Sequence, residues 1–438
     1  MIKTVRPPKQ LRGILRVPGD RSITVRAVLL GSIADGTSVV RDYLECDDTA
    51  AAIHIMRALG VDIDESHSTH AALRIKGVGL RGLTAPDQPL YCDSSGTTMR
   101  LMAGLLAGQA FASTLDGSEQ LRKRPMRRII EPLTLMGAHI TAANDCAPLR
   151  IEPAALHGID YVMPIASAQV KSAMMLAALY AQGDVIIHEN TPTRDHTERM
   201  LAAMRADISY QMAHEHARVG TIKRQSLMEL HPLEMRVPAD FSSAAFFIAA
   251  GVLHPHTHLE LPGVGLNPTR TGLLEALRVM GAQVHVHNSS VQGGEQTGDV
   301  LPVHGALRAI EVSGNLTALM IDEFPIFAVA ATQASGATVV RDAQELRVKE
   351  SNRIDGLVDE LRKMGAQIEA TPDGFVVNGP TPLHGAVVES YGDHRMAMAL
   401  SIAALIADGV TTITGAECVS KTYPAFYEDL AAICSSFE

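Results

Sequence analysis

The stretch Ser172–Ile187, "SAMMLAALYAQGDVII", has the pattern of an Ala- and Leu-rich helix, a Gly turn and a β-branched strand. The same order of features occurs six times in the chain. The copies begin at Ala27, Arg100, Ser172, Ser243, Ile326 and Ala397, about 70 to 80 residues apart. The 438-residue chain is therefore predicted to consist of six α/β repeats.

A second helix follows the strand in most repeats and leads into another short strand. Its end carries Gly60, Gly137, Gly281 or Gly365, and a glycine suits the left-handed position after a helix. The third repeat has Arg205 there instead. The first helix of each repeat is apolar nearly all round, which indicates burial on several sides. We therefore expect the helices inside and the sheets outside.

The composition of the chain argues against several classes of partner and cofactor. The net charge of −10 argues against nucleic acid and membrane surfaces as partners. Five widely spread cysteines, with no pair at metal-ligand spacing, favour a reduced cytoplasmic compartment. The N-terminus has no apolar signal segment, and no run approaches the length of a membrane span. The chain also lacks a phosphate-binding glycine loop, a dinucleotide fingerprint and a metal-binding triplet, so we expect no metal and no organic cofactor.

Short polar segments stand at the start of the six apolar helices. They are "PGDRS" (18–22), "SSGTT" (94–98), "SAQVKS" (167–172), "PADFSS" (238–243), "IDEFP" (321–325) and "GDHR" (392–395). Each alone reads as a helix cap. If the repeats pack pseudo-symmetrically, six helix N-termini converge, and such termini favour anions. Arg21, Arg26, Lys171 and Arg395 would add full positive charges.

The loops after the strands add more base, including "LRKRP" (121–125), "TRDHTER" (193–199), "NPTR" (267–270), "ELRVKESNRID" (345–355) and "SKTYP" (420–424). Carboxylates accompany them at Asp322, Glu323, Glu350 and Asp393. Base converging on one place predicts a ligand with several phosphate or carboxylate groups. Acid beside base in a closed site suits general acid–base chemistry.

The motifs "SGTTMRL", "SAQVKSA", "TRDHTERML", "SSAAFF", "IDEFP", "ELRVKES" and "GDHRMAM", in this order, resemble the 5-enolpyruvylshikimate-3-phosphate synthase (3-phosphoshikimate 1-carboxyvinyltransferase) family. The resemblance runs from about Gly13 to Ala431. It implies a two-domain inside-out α/β barrel of six βαβαββ repeats, three per domain. The first domain would comprise 1–18 plus 238–438 and the second 19–237, with the active-site cleft between them.

The resemblance also implies a reaction. The carboxyvinyl group of phosphoenolpyruvate would pass to the 5-hydroxyl of shikimate 3-phosphate through a tetrahedral intermediate, with release of phosphate. The step belongs to the shikimate pathway of aromatic amino acid biosynthesis. The implied partners are these two small molecules, and we expect a monomer.

Site residues are carried over by motif. Ser22, Arg26, Ser167, Gln169, Arg194 and Lys349 match positions that hold shikimate 3-phosphate in the family. Gly96, Arg124, Gln169, Arg353, Arg395 and Lys421 match positions that hold phosphoenolpyruvate. Arg21, Thr97, Ala168 and Asp322 complete the substrate-binding set. The catalytic candidates are Asp322 as acid–base carboxylate, Glu350 and Lys421 for proton delivery and the departing phosphate, and His394 as a proton-handling or structural residue.

The chain departs from the family pattern at Arg21 (usually Lys), Val25 (His), Ser94 (Asn), Thr193 (Ser) and Ala239 (Gly). Arg21 keeps the charge but does not easily lose its proton. These departures leave open a specialised paralogue with another phosphorylated acceptor, or altered tolerance of glyphosate. The related transferase family for UDP-N-acetylglucosamine fits less well, because the loop 115–125 has no cysteine. A non-catalytic anion-binding protein is the alternative of another class, and a scaffold of stacked repeats is the plainest one.

Overall fold

The computed structural model describes residues 1–66, 72–214, 217–222 and 229–434. The α-helices in these ranges are α1 (Arg21–Ser32), α2 (Asp47–Ala58), α3 (Gly96–Ala107), α4 (Glu119–Arg122), α5 (Arg127–Leu135), α6 (Ala168–Ala178), α7 (His196–Ala203), α8 (Phe241–Leu253), α9 (Gly272–Val279), α10 (Gly314–Leu319), α11 (Phe324–Ala331), α12 (Arg353–Lys363), α13 (His394–Leu405) and α14 (Phe426–Cys434). Two 3-10 helices span Gln344–Val348 and Ala416–Lys421. The last four residues of the final repeat, 435–438, lie outside the described residues.

The strands of the first half are β1 (Ile2–Val5), β2 (Leu11–Ile14), β3 (Asp35–Arg41), β4 (Asp62–Ser66), β5 (Ala72–Val78), β6 (Leu90–Tyr91), β7 (Ser113–Asp116), β8 (His139–Ala143), β9 (Cys146–Glu152), β10 (Asp160–Val162), β11 (Val185–Glu189), β12 (Ile208–His214), β13 (Ala217–Ile222) and β14 (Glu234–Arg236). Those of the second half are β15 (Thr257–Gly265), β16 (Gln283–Gln292), β17 (Glu295–Val303), β18 (Leu307–Arg308), β19 (Glu311–Val312), β20 (Ala334–Val340), β21 (Gln367–Thr371), β22 (Gly374–Gly379), β23 (Val387–Glu389) and β24 (Thr411–Thr414).

The chain divides into two compact units. The first comprises Met1–Pro18, Ala239–Ser290 and Gln296–Glu438, and the second comprises Gly19–Pro238 and Val291–Glu295. The prediction had placed 291–295 in the first domain. In the structure this hairpin tip packs with the second unit, because His196 Nδ1 lies 2.7 Å from the Glu295 carboxylate and the Arg236 N–H donates to Gln292 at 3.3 Å.

Among the described residues the strands form six sheets. The second unit holds β14–β3–β5–β4, β6–β7–β9–β8 and β10–β11–β13–β12, and the first holds β16–β17–β15–β2, β18–β20–β22–β21 (with β19 also on β20) and β1–β24–β23. Each sheet of the second unit begins with a parallel pair and continues antiparallel. The repeat predicted from the sequence is thus visible as one sheet and its helices, repeated six times.

The first helix of each repeat is buried along nearly its whole length, as its all-round apolar pattern predicted. All thirteen residues of α8 and all eight of α11 are buried, and α13 packs on both. In the second unit α1, α3 and α6 are buried in the same way. Helices α3 and α6 approach so closely that a Cβ on Gly104 would stand 2.0 Å from the Ala173 carbonyl oxygen. Small side chains therefore decide how near these helices can pack.

The helix ends follow the predicted local rules. Side-chain oxygens of Asp20, Ser95, Ser167, Asp240 and Asp393 accept hydrogen bonds from backbone N–H groups in the first turns of α1, α3, α6, α8 and α13. The remaining helix, α11, is preceded by Glu323, whose side chain makes no such capping bond, and it has Pro325 in its first turn.

The predicted glycines at the ends of the second helices all have positive φ, between +91° and +99°. Arg205 adopts the same left-handed conformation, with φ of 63°. Among the described residues, no helix has both the length and the apolarity to cross a membrane.

Candidate active site

In the second unit, the starts of α3 and α6 bring several predicted residues together. Gln169 donates through Nε2 to Thr97 Oγ1 at 2.9 Å and accepts from Arg100 Nη1. A Cβ on Gly96 would stand 2.8 Å from Arg124 Nη1, so the guanidinium of Arg124 lies directly over this backbone. The absence of a side chain at Gly96 thus leaves room for the Arg124 guanidinium beside the start of α3, where an anion would meet both.

Arg100 was not predicted as a site residue. It is buried, and burial lowers its pKa to about 10, with the nearby charges of Arg124 and Arg128 acting in the same direction. Arg100 follows Gly96 by four positions, which places the two on one face of α3. That spacing in "SSGTTMRL" is the signal that could have identified it.

Two further predicted residues, Ser22 and Arg194, lie near Arg26 of α1. Arg26 Nη1 donates to the carbonyl oxygen of Ser22 at 3.0 Å. Burial lowers the pKa of Arg26 to about 10, and Arg194 lies near enough to lower it further, while Glu198 opposes the shift. Ser167 caps α6, so Ala168 is the first residue of that helix. The structure therefore connects Arg26 with Ser22 and Arg194, and places Ser167, Ala168 and Gln169 along one helix start.

Two departures from the family pattern have partners. Arg21 forms an ion pair with Asp48 of α2, with 3.0 Å between Nη1 and Oδ2. The Ser94 hydroxyl lies 3.0 Å from the Ser118 hydroxyl at the start of α4. Side chains at both positions are at least partly exposed. Both residues are therefore held by neighbours on the same unit.

The prediction that Lys171 adds charge for an anion was wrong. Its side chain is 3% exposed and lies 2.8 Å from Glu189 and 2.6 Å from Glu198. The loop residue Arg270 is likewise buried and donates to Ser242 Oγ at 2.7 Å, close to Asp240. Sequence alone could not show that both cations are used inside the fold, because their partners lie on other elements.

In the first unit, Asp322 is surrounded by cations. Its Oδ1 lies 3.5 Å from Arg353 Nη1 and 4.0 Å from Lys349 Nζ, and its Oδ2 lies 3.8 Å from Arg395 Nη2. Arg395 Nη1 is also 3.8 Å from Glu323. Three predicted basic residues therefore meet one predicted acid.

Arg353 is the centre of this cluster and is 1% exposed. Its Nε donates to Asp393 at 2.8 Å and its Nη2 donates to Glu350 at 2.7 Å. Within the described residues Nη1 makes no hydrogen bond, although Asp322 lies nearby. A buried guanidinium with donor capacity to spare is suited to a further anionic partner.

The ionisation of this cluster follows from its contacts. Burial, the largest single influence, pushes the pKa of Glu350 and of Asp393 upward, but the charge of Arg353 together with His394 and local hydrogen bonds lowers both pKa values below the usual range. His394 is buried at the start of α13, and burial together with Arg395 lowers its pKa to about 3. At neutral pH the two carboxylates are therefore ionised and His394 is neutral. Lys421 is exposed at the end of the 3-10 helix Ala416–Lys421, outside these ion pairs.

Both units thus carry arginines and polar side chains at the N-termini of buried helices, an arrangement that suits a class of two-unit α/β proteins acting on anionic small molecules. A sequence profile of EPSP synthase (3-phosphoshikimate 1-carboxyvinyltransferase) matches residues 5–430. The chain belongs to the EPSP synthase family.

Individual relatives agree with this family. The chain is 44% identical over 432 residues to a 3-phosphoshikimate 1-carboxyvinyltransferase of Citrifermentans bemidjiense, covering 98% of each chain. It is 47% identical over 436 residues to the Roseiflexus castenholzii protein of the same name, covering 99% of this chain and 100% of the relative. A solved EPSP synthase from Acinetobacter baumannii superposes with a TM-score of 0.89 at 39% identity, covering 99% of this chain and 98% of the other.

Proposed function

We propose that this protein transfers the carboxyvinyl group of phosphoenolpyruvate to the 5-hydroxyl of shikimate 3-phosphate and releases phosphate. The observation that carries the proposal is the cluster at Asp322, in which one carboxylate lies within 4.0 Å of Lys349, Arg353 and Arg395. Such a carboxylate could take a proton from an alcohol, and the cations around it could hold the anionic groups of the substrates. The family membership of the whole chain supports the same reaction.

The substrates require a strongly basic site, since together they carry two phosphates and two carboxylates. Shikimate 3-phosphate would be held by Arg21, Ser22, Arg26, Ser167, Ala168, Gln169, Arg194 and Lys349. Phosphoenolpyruvate would be held by Arg21, Gly96, Thr97, Arg124, Gln169, Arg353, Arg395 and Lys421. The guanidinium groups suit bidentate contacts with carboxylate or phosphate. The unbonded Nη1 of Arg353 supports its assignment.

The reaction requires proton transfer at two positions, the 5-hydroxyl of shikimate 3-phosphate and the methylene carbon of phosphoenolpyruvate. Protonation of the methylene carbon of phosphoenolpyruvate makes the adjacent carbon cationic, and the 5-hydroxyl attacks that carbon while Asp322 takes its proton. The tetrahedral intermediate then loses a methyl proton and phosphate to give the enol ether. The three cations beside Asp322 would also attract the phosphate and carboxylate groups of the two substrates.

Lys421 and Glu350 are the candidates for the proton on the methylene carbon. Because Arg353 lowers the pKa of Glu350, Glu350 begins the cycle as a proton acceptor. Lys421, an exposed cation, is then the donor and can stabilise the departing phosphate. Neutral His394 would support the cluster from its buried position, and its Arg395 neighbour faces Asp322.

The architecture we propose is the inside-out α/β barrel of the family. Six βαβαββ repeats, three per domain, would form domains at 1–18 plus 238–438 and at 19–237, with the cleft between them. Closure of such a cleft would exclude water and align the two substrates. We further propose a cytoplasmic monomer that needs no metal and no organic cofactor.

The test mixes the purified protein with phosphoenolpyruvate and shikimate 3-phosphate and follows phosphate and the enol ether by phosphorus NMR. Variants Arg21→Lys and Asp322→Asn run beside it. We expect turnover by the native chain and by Arg21→Lys, and a loss of at least about a hundredfold in Asp322→Asn, a typical size for removing a general base.

Other outcomes separate the alternatives. Turnover by Arg21→Lys alone would mean that Arg21, held by Asp48, redirects the site to another phosphorylated acceptor. Binding of both substrates without turnover in any variant would favour a non-catalytic anion-binding protein and overturn the proposed reaction.

A further inference from the structure

Lys171 is a charged side chain sealed inside the second unit. Its ammonium lies between the carboxylates of Glu189 and Glu198, and all three side chains are no more than 4% exposed. Burial alone would lower the pKa of Lys171, but the two carboxylates outweigh burial and raise it, so the ammonium stays charged. We call Lys171, Glu189 and Glu198 the buried charge cluster. Its charges are used within the fold and not on a ligand.

One side of the buried charge cluster holds the loop that carries Arg194. Glu189 Oε1 accepts from the Thr193 N–H at 3.2 Å and from the Thr193 hydroxyl. Lys171 Nζ lies 3.5 Å from the Thr193 carbonyl oxygen. The backbone of Thr193 is thus bound at both its N–H and its C=O. These bonds fix the backbone from which the side chain of the next residue, Arg194, extends.

The other side of the cluster leads to Arg26. Glu198 and its neighbour Thr197 lie in the first turn of α7, and the Thr197 hydroxyl donates to Ser172 Oγ at 2.7 Å. Arg26 then donates to both hydroxyls, through Nε to Thr197 at 2.8 Å and through Nη2 to Ser172 at 2.9 Å. Ser172 directly follows Lys171 on α6. The guanidinium of Arg26 is therefore oriented by residues adjoining the buried charge cluster.

Stability alone does not account for this cluster. A buried ion pair contributes little more, and often less, than apolar side chains of similar volume would. Charged hydrogen bonds do fix direction, and here they direct two arginines that start from different elements.

We propose that Lys171, Glu189 and Thr193 are positioning residues for shikimate 3-phosphate, setting Arg194 directly and Arg26 through α7 without touching the substrate. This inference rests on the proposed function, which assigns both arginines to that substrate. Thr193 stands where the family usually has Ser, and both residue types carry the hydroxyl that this contact uses.

The experiment compares Thr193→Val, which removes the hydroxyl, with Thr193→Ser, which keeps it. Calorimetry measures the Kd of shikimate 3-phosphate without phosphoenolpyruvate, and steady-state kinetics measures the two KM values separately. We expect Thr193→Val to raise this Kd by about tenfold or more, within the range known for misplaced binding groups. The KM of phosphoenolpyruvate at saturating shikimate 3-phosphate should stay within about twofold, as should both constants in Thr193→Ser.

Glu189→Gln gives a second measurement with a matched control. It keeps the shape and an acceptor for Thr193 but removes the charge facing Lys171, and we expect the same selective rise in Kd. The control is Glu152→Gln, which removes an exposed carboxylate 2.6 Å from Arg150 at the end of β9.

The outcomes are distinguishable. If the native chain neither binds nor turns over shikimate 3-phosphate, the proposed function is wrong. If the native chain is active but Thr193→Val and Glu189→Gln bind shikimate 3-phosphate as it does, the positioning role is wrong. An equal rise in the KM of both substrates, or a rise matched by Glu152→Gln, would overturn it as well.

Discussion

Lys171 and Lys349 have similar charged neighbours but different roles. Each is a lysine near two carboxylates. Lys171 is 3% exposed and lies 2.8 and 2.6 Å from its partners, whereas Lys349 is 21% exposed and lies 3.1 Å from Glu345 and 4.0 Å from Asp322. The Lys171 ammonium is enclosed by its ion pairs within the fold, whereas the Lys349 ammonium is partly exposed and more loosely paired. Distance and burial, not composition, separate a structural cation from one that can bind a ligand.

Replacing Lys171 should have the largest effect on stability. Lys171→Met leaves Glu189 and Glu198 buried without their cation, and breaking a buried pair by removing one partner costs about 3–5 kcal/mol. We expect the free energy of unfolding, measured by urea denaturation, to fall by this amount. Glu198 Oε2 already lacks a hydrogen bond among the described residues, so few neighbouring groups could compensate for the loss of the ammonium.

Lys76→Met is the control for that change. Lys76 pairs with Asp62 on the surface, with the side chains 69% and 63% exposed. We expect its urea midpoint to stay near that of the native protein. Equal midpoints for Lys171→Met and Lys76→Met would contradict the structural role given to Lys171.

Lys349→Met should instead reduce activity. A charge-assisted bond to substrate contributes about 1.5–3 kcal/mol, so kcat/KM should fall by roughly tenfold to a hundredfold or slightly more. The urea midpoint should change little, because Lys349 is partly exposed, Glu345 is 59% exposed, and Asp322 keeps Arg353 and Arg395 as neighbours. The comparison would fail if Lys349→Met lost stability as Lys171→Met does while keeping its kcat/KM.

The same contrast shows what sequence could predict. The six helix starts and the left-handed positions at Gly60 and Gly281 follow from local chemistry, so short motifs were enough. The partners of Lys171 and Arg26 were not predictable in this way, since Arg26 meets Thr197 across 171 positions. Such contacts depend on which buried helices become neighbours. The family resemblance supplied the site residues, but it did not show which cations are buried.

The buried His394 predicts that the free energy of unfolding depends on pH. Its folded pKa is lowered to about 3 from an ordinary 6.5, mainly by burial, with Arg395 and Arg353 adding to the shift and Asp393 and Glu350 opposing it. The unfolded chain therefore binds the proton more readily below pH 6.5, so stability is complete above that pH and is lost as the pH falls toward 3. Between pH 7 and pH 5 the loss should be on the order of 1–2 kcal/mol.

The measurement is urea denaturation at pH 5, 6 and 7 for the native chain and His394→Gln. The variant should lose less stability across this range, because Gln does not titrate. Parallel curves for the two proteins would show that His394 becomes charged in the folded state. Glu350 and Asp393 do not confuse the result, since their lowered pKa values place their titration below this window.

The smallest expected effect concerns Arg205, which occupies the left-handed position where most repeats have a glycine. Its φ of 63° matches the left-handed position where Gly137 has φ of 95° in the preceding repeat. A side chain in this region costs roughly 1–2 kcal/mol, partly offset by the greater freedom that glycine has in the unfolded chain. We expect Arg205→Gly to raise the free energy of unfolding by about 0.5–1 kcal/mol. Gly137→Ala, the reverse change, should lower it, since its Cβ would meet the Ala155 carbonyl oxygen at 2.9 Å. A loss of stability in Arg205→Gly would mean that the Arg205 side chain, exposed in the structure, contributes more than its backbone strain removes.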